Sequence, residues 1–143
     1  MIFTIVCIVV VLVALAAIAF MFWRRRPQPL DPAFFQKRWQ ELQRLLRDKT
    51  QWSKAVLDAD ELLATALKKK RIRGRTMGER MANAQRLFTD NDSVWFGHKL
   101  RTKIDTEPQT QLKEADVKQA LVGIRQALKD VGALPDAQSR NQK

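Results

Sequence analysis

Around residue 100 the chain gathers the side chains best suited to chemistry, in the run His98-Lys99-Leu100-Arg101-Thr102-Lys103-Ile104-Asp105-Thr106-Glu107. On a helix His98, Arg101 and Asp105 are related by i+3 and i+4, so they share one side. An arginine and a histidine facing a phosphodiester could stabilise developing charge and move a proton. The favoured expectation is structural instead: Asp105 pairs with Arg101, and His98 fills part of a helix seam. Other chemistry is thinly represented. His98 is the only histidine, which excludes a multi-histidine metal site. No Walker A loop, dinucleotide fingerprint, HExxH or cysteine cluster is present. Asp58, Asp60 and Glu61 have no second acidic cluster to pair with and read as a solvated helix face. No metal or other cofactor is expected.

Three stretches carry a family resemblance: Lys54-Ala55-Val56-Leu57-Asp58-Ala59-Asp60-Glu61-Leu62-Leu63, Gly74-Arg75-Thr76-Met77-Gly78-Glu79-Arg80 and Trp95-Phe96-Gly97-His98-Lys99-Leu100-Arg101. Between Trp52 and Glu107 the chain resembles small bacterial helical proteins similar to the HEPN superfamily. That resemblance implies a bundle of four or five helices, commonly dimeric, in a group with many metal-independent ribonucleases. Their signature is an arginine, often followed by asparagine, with a histidine five residues after the arginine. Arg101 matches the arginine, while Thr102 stands for the asparagine and Thr106 for the histidine. A threonine hydroxyl does not titrate near neutral pH, and His98 lies a turn before Arg101 rather than after it. The resemblance therefore implies a catalytically dead or repurposed site at Arg101, His98 and Thr106, and a protein that is not an enzyme.

Charge and hydropathy say more than the motifs do. Lys and Arg number 26 against 15 Asp and Glu, a net charge of +11, and none of the charged side chains precedes Arg24. In Met1 to Trp23 the only clearly polar side chain is Thr4. About 22 apolar residues at ~1.5 Å each span ~33 Å, which matches a bilayer core of ~30 Å. Arg24, Arg25 and Arg26 follow at once. The run is too long for a cleaved signal and lacks a basic start, so a retained transmembrane anchor is expected. Basic flanks stay on the cytoplasmic side. The expectation is a single-pass cell-membrane protein with its N-terminus outside and its remaining chain cytoplasmic. Cys7, the only cysteine, lies within the span and offers no disulfide.

The elements that must position these residues are all helical. Pro27 and Pro29 make residues 24–31 a stiff basic linker. Asp31 before Pro32 reads as an N-cap with proline at the first helical position, and Phe35, Trp39, Leu42 and Leu46 then stripe a helix over about 33–48. A second helix, from residue 50 or 51 to 69, carries Trp52, Ala55, Val56, Ala59, Leu62, Leu63, Ala66 and Leu67 at a 3.6-residue period. The two are expected to form a hairpin rather than one long helix. Thr76 to Glu79 reads as a capping box for a third helix, Asp90 or Asp92 caps a fourth over about 93–105, and a fifth runs over about 111–131 until Gly132 and Pro135. The predicted class is all-α: one N-terminal transmembrane helix, then a four- to five-helix bundle over 32–134, then a disordered tail over 135–143.

Between the second and third helices lies Lys68-Lys69-Lys70-Arg71-Ile72-Arg73-Gly74-Arg75, six cations in eight residues, more than helix capping needs. A returning hairpin would bring this run back beside Arg24–Arg26. Near an anionic inner leaflet each cation contributes ~1 kcal/mol. Arg24, Arg25, Arg26, Lys68, Lys69, Lys70, Arg71, Arg73 and Arg75 are thus candidates for binding a membrane surface or phosphates. RNA could use the same run, but Trp39, Trp52 and Trp95 read as core rather than stacking platforms. The favoured function is a membrane-anchored, non-catalytic interaction or scaffold module whose partner is another protein or a second copy. Alternatives are a HEPN-like RNA-binding protein or residual ribonuclease, and a component of an envelope or secretion assembly.

Overall fold

The computed structural model describes residues 1–136, so the expected disordered tail lies outside the described residues apart from Pro135 and Asp136. Among the described residues there are six α-helices and no strand: α1 (Ile2–Arg24), α2 (Pro32–Leu45), α3 (Trp52–Lys69), α4 (Met77–Ala84), α5 (Asn91–Thr106) and α6 (Glu114–Asp130). Helix α1 is long and apolar enough to cross a membrane and buries none of its residues. The other five pack as a bundle, matching the predicted class.

The first hairpin forms because the chain breaks at Asp48, whose carboxylate accepts from the Thr50 amide at 2.9 Å and opens one turn of 3-10 helix over Lys49–Gln51. The Trp52 indole N–H donates to the Leu46 carbonyl at 3.0 Å, pinning the corner. At the hairpin's other end the Gln28 amide donates to the Lys69 carbonyl at 2.9 Å. The proline-containing linker is thereby clipped to the end of α3.

The start of α2 is capped by Asp31, which accepts from the Ala33 amide at 3.0 Å, with Pro32 following. Asp90 caps α5 through the Ser93 amide at 3.0 Å, two residues before the expected start. Helix α6 begins at Glu114 rather than about 111 and ends in a Schellman motif. Gly132 takes φ +81°, its amide reaches the Lys129 carbonyl and the Ala133 amide reaches that of Leu128. The third helix is short: Leu87 and Phe88 both fall beyond α4, Phe88 buried and Leu87 exposed.

The core joins Phe35, Trp39 and Leu42 of α2 to the broad inner face of α3, Met81 of α4, Val94 and Ile104 of α5, and the stripe of α6. Helices α5 and α6 approach closely because both carry glycine at the crossing. A Cβ on Gly123 would lie 2.5 Å from the Ser93 carbonyl carbon, and one on Gly97 would lie 3.1 Å from the Ala120 carbonyl oxygen. Thr89, before α5, donates from its amide and hydroxyl to Asp130 at 2.8 and 3.0 Å, closing the far end of this pair.

Candidate functional site

Two clusters of functional side chains emerge, and the fold treats them differently. The first is around His98. Its Nδ1 lies 3.1 and 3.2 Å from the two carboxylate oxygens of Asp60, on α3. Because an ionised carboxylate only accepts, Nδ1 carries the hydrogen of that bond. Arg101 places Nε 3.7 Å from Asp60 and one terminal nitrogen 3.0 Å from Asp105. The Trp95 ring meets the His98 ring edge-on with centroids 6.1 Å apart.

This arrangement corrects the expectation for Asp60. Asp58 is half-buried and Glu61 exposed, but Asp60 is 3% exposed and is the one charged residue within the described core. Leaving water is costly for a carboxylate unless cations and donors meet it, and His98 and Arg101 supply both. Asp105 does pair with Arg101 and His98 does fill a seam, between α3 and α5. Thr106, the counterpart of the resemblance's histidine, is exposed and donates its hydroxyl to the Thr102 carbonyl at 3.1 Å. Arg101 sits between two carboxylates, which offset the charge a phosphate would need. The geometry is that of a buried polar lock between helices. Among the described residues no three His, Cys, Asp or Glu side chains are grouped to hold a metal ion.

The second cluster is basic and open. Arg24 and Arg25 at the end of α1, Lys68 and Lys70 at the end of α3, Arg71 and Arg73 in the loop, and Arg80 on α4 line one depression of about 840 Å³. No described carboxylate lies within salt-bridge distance of these seven. Three expected members differ. Lys69 lays its ammonium over the Phe34 and Phe35 rings, at 5.2 and 5.8 Å. Arg26 lies instead beside Ala19, Phe20, Phe22 and Trp23, along a furrow on α1. Arg75 is exposed, and its amide donates to the Glu79 carboxylate at 2.6 Å. Arg80, absent from the expected set, joins because Gly74 at φ +149° packs against its backbone; a Cβ there would lie 2.7 Å from the Arg80 amide nitrogen.

The loop that carries these cations is held at every step. Helix α3 ends in a second Schellman motif: Arg71 donates its amide to the Lys68 carbonyl at 2.9 Å, and Ile72 to that of Leu67 at 3.1 Å. The position that glycine usually fills is Arg71, at φ +60°, the only described non-glycine residue with positive φ. Gly74, three residues later, does a different job. Asn83 on α4 donates its side-chain amide to the Arg73 carbonyl at 2.8 Å. The capping box forms with a shift: Thr76 accepts from the Glu79 amide at 3.2 Å, and the Glu79 carboxylate reaches Arg75.

At the opposite end of the hairpin an apolar groove of about 220 Å³ runs between Leu46, Trp39 and Trp52 on one side and Val117, Leu121 and Val122 on the other. Val122 is 67% exposed. Trp39 is buried as expected, and its indole nitrogen has no hydrogen-bond partner. No family model, curated protein or solved structure matches this chain.

Proposed function

We propose that the chain is a single-pass membrane protein whose helical bundle is a non-catalytic interaction module, cytoplasmic and held against an anionic inner leaflet. One observation carries this reading: Arg24 and Arg25, at the end of the apolar helix, share a basin with Lys68, Lys70, Arg71 and Arg73, which are more than 40 residues further on. Basic residues at the end of a span favour the cytoplasmic side, and a second basic segment at the same level adds to attraction by anionic lipid. The apolar groove at the other end of the hairpin gives a protein partner, or a second copy, a surface away from the leaflet. The ribonuclease alternative draws on Arg101, whose guanidinium is already engaged by Asp60 and Asp105.

The test is hydrogen–deuterium exchange on the full chain in nanodiscs. Amides of residues 68–75 should exchange more slowly in discs containing anionic lipid than in zwitterionic discs, and an N-terminal tag in intact cells should be reachable only from outside. Equal exchange in the two discs sinks leaflet contact; a tag reachable only after lysis sinks the orientation.

A further inference from the structure

We infer that the basic basin is a site for a phospholipid headgroup carrying two or more negative phosphate charges, drawn from the leaflet at which the span ends. This rests on the proposed membrane placement and adds a specific ligand to it.

Diffuse attraction to a charged surface needs only a flexible basic tail. The basin is built differently. Its loop backbone is fixed by the Gln28–Lys69, Ile72–Leu67 and Asn83–Arg73 hydrogen bonds, so the positions from which the cations project are set before a ligand arrives and less is lost on binding. Five of its seven cations are arginines, whose planar forks bind phosphate oxygens two at a time, whereas lysine acts as a point charge. A positive φ at Arg71 is a strain that glycine would relieve. Arginine at that position adds a guanidinium to the lining of the basin.

The source of the phosphate follows from what adjoins the basin. A furrow of about 460 Å³ lined by Ala19, Phe20, Phe22, Trp23 and Arg26 runs along α1, and Arg26 sits in sequence between Arg25 and Pro27 of the basin. An acyl chain lying against α1 has its phosphate at this level. RNA would want aromatic rings on which bases stack, and the non-cationic residues lining the basin are Pro27, Ile72 and Gly74. A phosphodiester headgroup offers one charge to seven cations. A phosphomonoester offers up to two, and a paired-phosphate headgroup at least two, with more oxygens for the arginine forks.

The experiment is native mass spectrometry of the full chain released from non-ionic micelles, with dioctanoyl phosphatidate, dioctanoyl phosphatidylglycerol, inorganic phosphate and a uridine dodecamer as probes. Phosphatidate should be retained at least ~10-fold more tightly than phosphatidylglycerol, following the strength of multidentate charge-assisted contacts. Arg73→Ala with Arg80→Ala should remove that preference. Arg71→Gly, which relaxes the backbone and keeps the fold, should weaken it severalfold, with circular dichroism confirming helicity. Equal retention of the two lipids overturns the headgroup site, as does preference for the dodecamer, competition by inorganic phosphate at the lipid's own concentration, or preference unchanged in both variants. Slowed exchange at 68–75 on anionic discs without lipid preference overturns this site and leaves the membrane placement standing. Lipid preference in micelles with the tag facing inward supports the site and removes the orientation.

Discussion

His98 Nδ1 and Asp60 Oδ1 stand 3.1 Å apart across the α3–α5 interface, joining residues 38 positions apart in the chain. With the side chains 14% and 5% exposed, the pair is a structural lock rather than a surface ion pair. Asp60→Ala should destabilise the bundle by ~3 kcal/mol, the lower end of what removing one member of a buried pair costs, because Arg101 is 38% exposed and keeps Asp105. Denaturant unfolding of the full chain in micelles, followed by tryptophan fluorescence, measures it. A loss below ~0.5 kcal/mol would place Asp60 among ordinary surface substitutions.

Glycine substitutions should split by position. Gly123→Ala pushes a methyl group into the Ser93 backbone at 2.5 Å and should cost ~2–4 kcal/mol, since backbone cannot yield as a side chain can. Gly78→Ala on α4 meets nothing closer than 3.8 Å and should stabilise by ~0.5–1 kcal/mol through helix propensity. Thermal unfolding of the two variants side by side gives opposite signs.

Arg71→Gly should raise stability by ~1 kcal/mol by relieving the left-handed backbone at φ +60°, while weakening the basin's hold on anionic lipid. A variant that gains stability while losing lipid separates strain kept for binding from strain without use. If Arg71→Gly also retains lipid in full, the arginine at this turn is incidental.

Acid should loosen the start of α5 locally. Hydrogen bonds from Ser93, side chain then backbone, hold the Asp90 carboxyl below its ordinary value of 3.8. A depressed folded-state pKa contributes stability that is complete above the unfolded value and disappears as pH falls through the folded one. Amide exchange at residues 91–94 should therefore quicken beyond the intrinsic pH trend on going from about pH 5 to about pH 3. Asp90→Asn, which caps without titrating, should abolish that step.

The helices and caps were legible because each rests on neighbours in sequence. Asp31-Pro32, Thr76 and Asp90 each satisfy amides within three residues, and the stripes of α2, α3 and α6 are local periodicities. The expected return of the 68–75 run to Arg24–Arg26 follows from an antiparallel hairpin; the basin holds Arg24 and Arg25 with Lys68, Lys70, Arg71 and Arg73, and Arg26 lies outside it. What was not legible depends on distant partners. Asp60 resembles its neighbour Asp58 in type, and only His98 and Arg101, far along the chain, make it a core residue. Gly123 could have been suspected from its place in the stripe between Ala120 and Ile124, where a small residue interrupts larger ones. Nothing local distinguishes Arg71 from the other cations of its run; its backbone conformation follows from how the chain must turn after α3.

The hydrogen bond from Gln28 to Lys69 turns a tether into a ruler. Between Arg24 and that clip only four residue steps remain, at most ~14 Å of chain, so with α1 in a bilayer the end of α3 stays within that reach of the span's end. The groove begins at Trp39, midway along the ~20 Å of α2, and reaches Leu46 and Trp52 at the corner away from the clip. Under the proposed membrane placement, a partner of this groove is held to one reach from the span, because Val122 and Trp39 belong to the same bundle that the clip ties to α1.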